Sequence, residues 1–517
     1  MVESGTRQGL IREAAVEPSI FLDFNLPKAA TWFYFSLILS ITLFFQFSRL
    51  LSVRNLDILT LFLLVPGFLL HIEAHTFLRQ AEHEELLAAE SRLPAAQEIT
   101  SAVASLAGKE GLAGGFLRLA VMNAPLETLE LTTKATLSRD RGQRELLFAY
   151  IWLLSGSAYW LIRALVDLAL VRRPVMSPNL NTTGLGWLGL ALAFCLTAVV
   201  YRPSSDSVVA APIGARPIAI EQLQDRATAV VRQTQNGLGQ TPTVDLRFWV
   251  QRSLAIGCHL AVVVGLFMIG LRHFQDLTTA MALGTLYLLL PYTAFHIAQL
   301  HLVWPAAFVT WAIYCYRRPV LSGWLLGLAG GSSFVTLLLF PLWVGFYSKR
   351  GAGRFAIAFL TTVGVSLGVL ALALSWEGLL PANYLSDYLP DWIPWKQSGS
   401  ESVWTGLHGA YRLPIFVLYV AFLAVVTIWP TPKNLSHLVS QSAAVLIGVQ
   451  FWHADRGGFY ILWYLPLILL MVFRPTLTAH EPPIAEPGQG RMLRWANAAW
   501  RRVTSSRSTS GPKELAV

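Results

Sequence analysis

Apolar stretches of roughly 18 to 22 residues recur along this chain between positions 31 and 473. A helix of that length crosses a hydrocarbon core about 30 Å thick. Backbone groups inside lipid must be hydrogen-bonded within the protein, so repeated stretches of this kind fold as packed helices. We therefore predict an all-α, polytopic transmembrane helical bundle with about 13 membrane segments. The predicted segments are 31–48, 57–72, 147–170, 184–201, 248–271, 277–294, 299–316, 320–331, 333–347, 355–375, 413–429, 438–452 and 458–473.

The composition excludes an ordinary soluble protein. Only 13% of the 517 residues are charged, against about 25% in soluble domains, and 54% are hydrophobic. The formal net charge of +9 lies largely in short loops and in the C-terminal tail, so it reflects membrane topology and does not indicate a nucleic-acid partner. No P-loop, dinucleotide fingerprint or nucleophile elbow occurs, and the three cysteines are far apart. We therefore expect membrane lipids as partners and no metal or organic cofactor.

Basic residues in the short loops predict the orientation of the bundle, because arginine and lysine concentrate on the cytoplasmic side. They all fall on one side when the N-terminus is outside and the C-terminus is cytoplasmic. The first 30 residues lack the basic-then-apolar order of a cleaved signal peptide, which favours insertion through the first transmembrane helix. We predict a multi-pass protein of the cell membrane, specifically an inner membrane. The loop residues are Arg49, Arg54, Arg172, Arg173, Arg272, Arg317, Arg318, Lys349, Arg350, Arg354, Lys433 and Arg474.

The stretch 320–347 predicts a helical hairpin. Basic residues stand at both of its feet, and its apolar run is interrupted at Gly330–Ser333. If the stretch were one crossing, the basic residues before and after it would lie on opposite sides of the membrane. Two arms, 320–331 and 333–347, remove this conflict, either as two short crossings or as a re-entrant hairpin.

The same patterns divide the chain into membrane and non-membrane regions. The region 73–146 is rich in Ala, Leu and Glu, and it predicts outer amphipathic helices. The predicted order is an outer N-terminal segment (1–30), the first two transmembrane helices (31–72), the outer helical region (73–146), a transmembrane core (147–375), an outer aromatic loop (376–412), C-terminal transmembrane helices (413–473) and a cytoplasmic, basic and partly disordered tail (474–517).

Ionisable residues inside a membrane segment are costly, so they are early candidates for a functional role. Arg163 and Asp167 are four residues apart in the segment 147–170 and therefore share a helical face. Two interpretations are open. The residues form an ion pair that lines a polar cavity, or they lie close enough to the cytoplasmic end to reach the surface along their aliphatic stems.

The second segment ends in two histidines, His71 and His75, with Glu73 between them. An i, i+4 histidine pair is the minimum of a metal site, which needs a third or fourth ligand. The alternative is a polar patch at the membrane interface. Glu73 is also the first carboxylate beyond a membrane helix. At that position it is a candidate general base for a reaction on a lipid-linked substrate.

Three polar side chains, His296, Gln299 and His301, surround the start of the segment 299–316. Neutral imidazole and amide groups donate and accept hydrogen bonds, so they suit the hydroxyl groups or the phosphate of a substrate. The alternative is a helix end whose polar residues are satisfied by water.

The outer loop 376–412 is dense in aromatic and acidic residues. Aromatic faces beside carboxylates suit sugar rings, because the C–H faces pack on the aromatic rings while the hydroxyls need acceptors. An aromatic belt at the membrane interface explains the same composition without a ligand. The residues concerned are Trp376, Glu377, Tyr384, Asp387, Tyr388, Asp391, Trp392, Trp395 and Trp404.

Several short motifs follow one another in the C-terminal half. They are Pro291, Ala298-Gln299, Arg318-Pro319, Gly323, Gly327-Leu328-Ala329, Pro341-Leu342-Trp343, Gln397-Ser398, Trp452-His453, Trp463 and Pro466. Their order resembles that of the polytopic GT-C glycosyltransferases, in particular the family 87 polyprenyl-phosphate-mannose-dependent mannosyltransferases. Where the hairpin of that family usually has a lysine, this chain has Ser332 and Ser333.

The resemblance implies a GT-C-like bundle that transfers a mannose-like sugar from a polyprenyl-phosphate donor to a lipid or glycan acceptor on the outer face. A carboxylate would deprotonate the acceptor hydroxyl, and polar groups would stabilise the departing phosphate. We expect Glu73 as the base, with Asp387 and Asp391 as alternatives. The expected substrate-binding residues are His296, Gln299, His301, Ser332, Ser333, Trp392, Trp395, Gln397 and His453.

Two other classes of protein fit the sequence. The first is a non-catalytic multi-pass membrane protein, either a transporter or a degenerate GT-C relative. The second is a histidine-metal membrane enzyme built on His71 and His75.

Overall fold

The computed structural model describes residues 29–106, 126–167, 176–201, 218–237, 246–348, 351–376, 402–453 and 457–473. Across these ranges the secondary structure is helical and contains no strand, which confirms the all-α prediction. The helices are α1 (Ala29–Phe44), α2 (Val53–Thr60), α3 (Val65–Leu106), α4 (Leu126–Val166), α5 (Thr182–Tyr201), α6 (Ile218–Gly237), α7 (Leu246–Ile269), α8 (Leu277–Leu289), α9 (Pro291–Phe295), α10 (Leu300–Tyr314), α11 (Pro319–Ser332), α12 (Phe334–Leu337), α13 (Phe340–Phe346), α14 (Ala352–Trp376), α15 (Leu413–Ile428), α16 (Leu435–Trp452) and α17 (Leu465–Phe473).

Six helical stretches in the described ranges are long and apolar enough to cross a membrane. Large apolar side chains, among them Phe194, Ile357 and Ile428, are exposed on the outside of the bundle. Extensive apolar surface is rare on soluble monomers and fits a surface that faces lipid. The six stretches are Val53–Ala89, Glu130–Val166, Thr182–Tyr201, Leu246–Phe274, Ala352–Leu372 and Gly409–Ile428.

The centre of the bundle contains helices that are shorter than a membrane crossing. α8 has 13 residues and α10 has 15, so their lengths are about 20 Å and 22 Å, against a hydrocarbon core of about 30 Å. Pro291 separates α8 from α9, because proline disfavours helical geometry in the residue before it, and Leu290 is extended there. Leu290, Pro291 and Tyr292 are all buried, so these helix ends lie inside the bundle.

The stretch 320–347 contains two arms, as the hairpin prediction requires. α11 ends at Ser332, and the chain turns at Ser333, whose backbone is extended with φ −145° and ψ 120°. α12 and α13 then return towards the start of α11. The Tyr347 hydroxyl donates a hydrogen bond of 2.6 Å to the carbonyl oxygen of Tyr316, which joins the two feet of the hairpin. α11 has 14 residues, so the apex lies only about 21 Å from the feet.

Glycines allow α11 to lie directly against the backbone of α14. A Cβ atom at Gly323 would lie 2.7 Å from the carbonyl oxygen of Phe355, and a Cβ atom at Gly327 would lie 2.8 Å from that of Phe359. Residue numbers rise together along both helices, so α11 and α14 are parallel. Small residues at such contacts let membrane helices approach closely, which explains the Gly-x-x-x-Gly spacing in α11.

Substitution of Gly327 by valine is expected to separate α11 from α14 and to lower the free energy of unfolding by about 1–3 kcal/mol. The backbone oxygen that the new side chain would meet cannot rotate away as a flexible side chain does. Thermal unfolding in mild detergent measures the loss. Gly364→Val in α14 is the matched control, because a Cβ atom at Gly364 would meet nothing within 4 Å. Equal melting temperatures for Gly327→Val and the wild type would contradict the close contact.

Two helices, α3 and α4, are much longer than a membrane crossing requires. They have 42 and 41 residues, and each is therefore about 60 Å long. They are antiparallel, since Gly67 packs against Leu153 while Gly142 packs against Leu78. The predicted outer region 73–146 is thus continuous with the membrane helices, because α3 has no break at position 73 and α4 has none at position 146.

A buried ion network connects three helices of the bundle. The Arg163 guanidinium donates two hydrogen bonds to the Asp57 carboxylate, of 2.9 Å and 2.8 Å, and one of 3.1 Å to Asp167. The Ser440 hydroxyl donates to the second oxygen of Asp167 at 3.0 Å. Asp167 is 0% exposed, and Arg163 is also buried. The interpretation in which this pair reaches the surface is therefore wrong, because the charges are satisfied inside the bundle by Asp57 and Ser440.

Candidate functional site

The segment between α9 and α10 places three predicted residues inside the bundle. His296, Gln299 and His301 are all buried. The turn is local: the N–H group of Gln299 donates to the carbonyl oxygen of His296 at 2.9 Å, and α10 begins at the next residue. The sequence therefore directs three neutral polar side chains to the buried start of α10.

A histidine on α7 adds to this group, and the sequence patterns did not single it out. Nδ1 of His259 is 2.9 Å from the Tyr287 hydroxyl, and both residues are buried. Tyr287 belongs to α8, and its carbonyl oxygen accepts a hydrogen bond from the Thr293 hydroxyl. His259 stands alone in an apolar run, so its only signal in the sequence is the presence of an imidazole at membrane depth.

His296 is the most unusual polar residue of the site. It is 0% exposed, and although the Gln299 side chain lies beside it, within the described ranges neither of its ring nitrogens makes a hydrogen bond of good geometry. Nε2 of His259 likewise makes no hydrogen bond of good geometry, although the ring lies close to the backbone of His296. A buried polar group without a partner costs about 1–3 kcal/mol, so these nitrogens are suited to bind internal water or the polar part of a ligand.

The segment 457–460 connects His71, another residue predicted from the sequence, to the group around His296. The Phe459 ring lies 4.3 Å from the ring of His71 and 5.0 Å from that of Phe68, between ring centres. Phe68 in turn lies 5.2 Å from His296. The end of the second predicted membrane segment is thus connected to the start of α10 through two aromatic rings.

The hairpin apex meets the end of α16 on the other side of this segment. The His453 ring stacks on Phe334 with a ring separation of 5.7 Å, and its edge contacts Tyr460 at 5.3 Å. Tyr460 stacks on Trp463 at 4.0 Å. Ser332 and Ser333 precede Phe334 and are buried. The Ser332 hydroxyl donates to the carbonyl oxygen of Ala329 at 2.9 Å, so it is held by its own helix.

We call His71, His75, His296, Gln299, His301 and His453 the polar cluster. Nε2 of His71 and Nε2 of His75 are 3.0 Å apart, so the N–H group of one imidazole donates a hydrogen bond to the ring nitrogen of the other. Glu73 is exposed on another side of α3, outside the polar cluster, of which His75 is half-buried and the other members are buried. In the part of the chain that the structure describes, no group of three or more histidine, cysteine or carboxylate residues could hold a metal ion. The predicted residues Asp387, Asp391, Trp392, Trp395 and Gln397 lie outside the described residues.

Gln450, on α16, holds the segment 457–460, which connects the residues of the polar cluster. Oε1 of Gln450 accepts hydrogen bonds from the N–H groups of Gly458, at 2.9 Å, and Tyr460, at 3.2 Å. Gly458 has φ +97°, a conformation that glycine adopts without strain. Gln450 therefore positions both Phe459 and Tyr460.

Gln450→Met is expected to release this segment while it keeps the volume of the side chain. Two buried N–H groups then lose their acceptor, and hydrogen exchange at Gly458 and Tyr460 should accelerate by about tenfold or more. Hydrogen exchange read by mass spectrometry on the peptide 457–463 measures the effect. Gln441→Met is the control, because Gln441 donates to the Trp429 carbonyl and does not contact this segment. Unchanged exchange in Gln450→Met would show that the segment is held by its aromatic contacts alone.

The site offers neutral hydrogen-bonding groups beside aromatic faces, which is chemistry that suits hydroxyl-rich or phosphorylated ligands. Comparisons of the chain with models of known protein families, with curated proteins and with solved structures found no match. The function is therefore inferred from the sequence and from this geometry.

Proposed function

We propose that the protein is a membrane glycosyltransferase of GT-C-like architecture, with about 13 membrane segments. It would transfer a mannose-like sugar from a polyprenyl-phosphate donor to a lipid or glycan acceptor. The observation that carries the proposal is the meeting of four separate parts of the chain at buried polar side chains. These parts are the middle of α3, the turn before α10, the hairpin apex and the end of α16, and Phe459 and Tyr460 connect them.

The proposed reaction breaks one bond and forms one bond at the anomeric carbon of the sugar. The oxygen of the acceptor hydroxyl attacks this carbon, and the bond to the phosphate oxygen breaks. The electron pair leaves with the polyprenyl phosphate, while the hydroxyl proton passes to a carboxylate. We propose that this carboxylate is Glu73, which is exposed on α3 two residues from His71 and His75 of the polar cluster, with Asp387 and Asp391 as alternatives.

In this proposal the polar cluster binds the donor. His296, Gln299 and His301 would hydrogen-bond the sugar hydroxyls or the phosphate, and His453 would complete the wall beside the hairpin apex. Ser332, Ser333, Trp392, Trp395 and Gln397 remain the other proposed binding residues. We place this end of the bundle on the outer face of an inner membrane, because the hairpin feet carry Arg317 and Arg318 at the opposite end.

The direct test is incubation of membranes that contain the protein with radiolabelled polyprenyl-phosphate sugars. The expected result is a new labelled lipid or glycan that is absent from membranes without the protein. If the folded protein yields no labelled product from any such donor, the proposal fails. Flux of substrate into proteoliposomes without sugar transfer would instead support a transporter.

One contact favours a metal enzyme as the second candidate. Nε2 atoms 3.0 Å apart in His71 and His75 are close enough to turn towards a common ion. Elemental analysis of the purified protein tests this candidate. A stoichiometric metal that is lost in His71→Ala would support it, and metal-free protein with full activity would exclude it.

A further inference from the structure

Three exposed arginines lie together at the end of the bundle opposite the polar cluster. Arg272 follows the end of α7, whereas Arg317 and Arg318 belong to the turn between α10 and α11. The Arg272 guanidinium donates a hydrogen bond to the Tyr314 hydroxyl at 3.3 Å, which places the loop after α7 beside the end of α10. Arg272 and Arg318 are both close enough to Cys315 to act electrostatically on its thiol. Two separate loops therefore bring positive charge to one place.

The charge of these arginines is not neutralised within the described part of the bundle. Among the described residues, no carboxylate forms an ion pair with any of the three. The loop between α7 and α8 has one carboxylate, Asp276, and it caps α8 by accepting hydrogen bonds from the N–H groups of Thr278 and Thr279. Tyrosine hydroxyls hold the guanidiniums of Arg272 and Arg317 but carry no charge. This end of the bundle therefore attracts anions.

An apolar strip leads from the arginines along the outside of the bundle. α10 is buried over most of its length and reaches the surface at a row of half-buried aromatic residues. α11 lies antiparallel beside it, since the Ser322 hydroxyl donates to the Ala312 carbonyl oxygen at 3.1 Å, and it exposes apolar side chains one helical turn apart. Trp304 and Leu328 line the same pocket, so the two rows adjoin. The strip consists of Trp304, Phe308, Trp311, Val320, Trp324 and Leu328.

The length of the strip matches one leaflet of a bilayer. Leu328 lies ten positions after Arg318, which corresponds to about 15 Å along a helix. The hydrocarbon core of a bilayer is about 30 Å thick, so the strip covers about half of it. A lipid whose headgroup lies at the arginines can therefore place one acyl chain along the whole strip.

We propose that the three arginines and the apolar strip bind an anionic phospholipid of the leaflet at the hairpin feet, the side that we predict to be cytoplasmic. The headgroup oxygens accept hydrogen bonds from Arg272 and Arg318, because a guanidinium donates several hydrogen bonds in a fixed geometry. One acyl chain lies along the strip. The bound lipid connects the loop after α7 to the feet of the hairpin. This site lies at the other end of the bundle from the polar cluster, so it does not depend on the proposed sugar transfer.

The test measures lipid binding to the purified full-length protein in detergent by native mass spectrometry. The probes are phosphatidylglycerol, phosphatidylcholine with the same acyl chains, and glycerol 1-phosphate as a headgroup without chains. We expect phosphatidylglycerol to bind most tightly. Arg272→Gln and Arg318→Gln should each weaken it by about fivefold, and the double variant by about twentyfold. Both arginines are exposed, so the melting temperatures should not change.

Two further variants test the position of the lipid. Arg49→Gln is the matched control, because Arg49 is an exposed arginine on the same predicted side, in the loop after α1, and it should bind like the wild type. Trp324→Ala removes the most exposed side chain of the strip, and it should weaken phosphatidylglycerol by about fivefold while the preference over phosphatidylcholine remains.

Equal affinities for phosphatidylglycerol and phosphatidylcholine would overturn the inference, because the arginines would then have no role in the choice of lipid. Weakening by Arg49→Gln as large as that by Arg272→Gln would also overturn it, since the attraction would then be general to the surface. Glycerol 1-phosphate that binds as tightly as the lipid, or unchanged binding in Trp324→Ala, would leave no role for the strip and would have the same consequence.

Discussion

Replacement of Arg163 by methionine is expected to lower the free energy of unfolding by about 3–5 kcal/mol, one of the two largest effects that we predict. The guanidinium forms ion pairs with the buried carboxylates of both Asp57 and Asp167. Methionine fills similar space but leaves two like charges facing each other in the bundle. The expected result is a large loss of monodisperse protein on heating in mild detergent, measured by size-exclusion chromatography.

A variant that lacks all three charges distinguishes the effect of unpaired charge from the effect of altered packing. Asp57→Asn and Asp167→Asn, combined with Arg163→Met, remove all three charges and should recover much of the lost stability. Ser440→Ala, which removes only the hydroxyl donor to Asp167, should cost about 1 kcal/mol. If Arg163→Met melts like the wild type, the three charged groups do not form the network inside the bundle.

Glu73→Gln is expected to lower the rate of sugar transfer by about 10²- to 10⁴-fold, which is the usual contribution of a general base. Glutamine has the same shape but cannot accept the proton of the acceptor hydroxyl. Because Glu73 is exposed, the substitution should leave the melting temperature unchanged. Transfer of radiolabelled sugar by purified, folded protein measures the effect.

The matched control for Glu73 is Glu82→Gln, since Glu82 is another exposed carboxylate of α3. It should transfer sugar like the wild type. Full activity of Glu73→Gln would remove Glu73 from the mechanism, and Asp387→Asn and Asp391→Asn would then be tested in the same assay.

The parts of the fold that could be predicted are those for which a single segment of sequence shows a recognisable pattern. Repeated apolar runs indicated the helical bundle, and glycines with basic residues at both feet indicated the turn at Ser333. The length of α3 was not predictable, because the apolar pattern stops near His71 while the helix continues to Leu106. Amphipathic and membrane-spanning parts of one helix look like two elements when only hydropathy is considered.

For the candidate site, the sequence suggested residues but not the contacts between them. His296, Gln299 and His301 were singled out because polar groups at membrane depth are costly, whereas His453 came from the motifs that resemble the GT-C family. Asp57, by contrast, was missed as the partner of Arg163, since 106 positions separate the two residues. Tyr287, the partner of His259, was also missed. Such pairs form when separate helices pack together, so no spacing pattern within one segment indicates them.

The short hairpin also sets an order for synthesis and insertion. When α11 leaves the ribosome, its 14 residues are too few to cross the bilayer alone. The glycines of α11 can pack against the α14 backbone only after the 25 residues of α14 have been translated. We therefore expect the hairpin to reach its final packing only after α14 has been synthesised, because a nascent chain that ends before α14 lacks the backbone surface against which α11 packs.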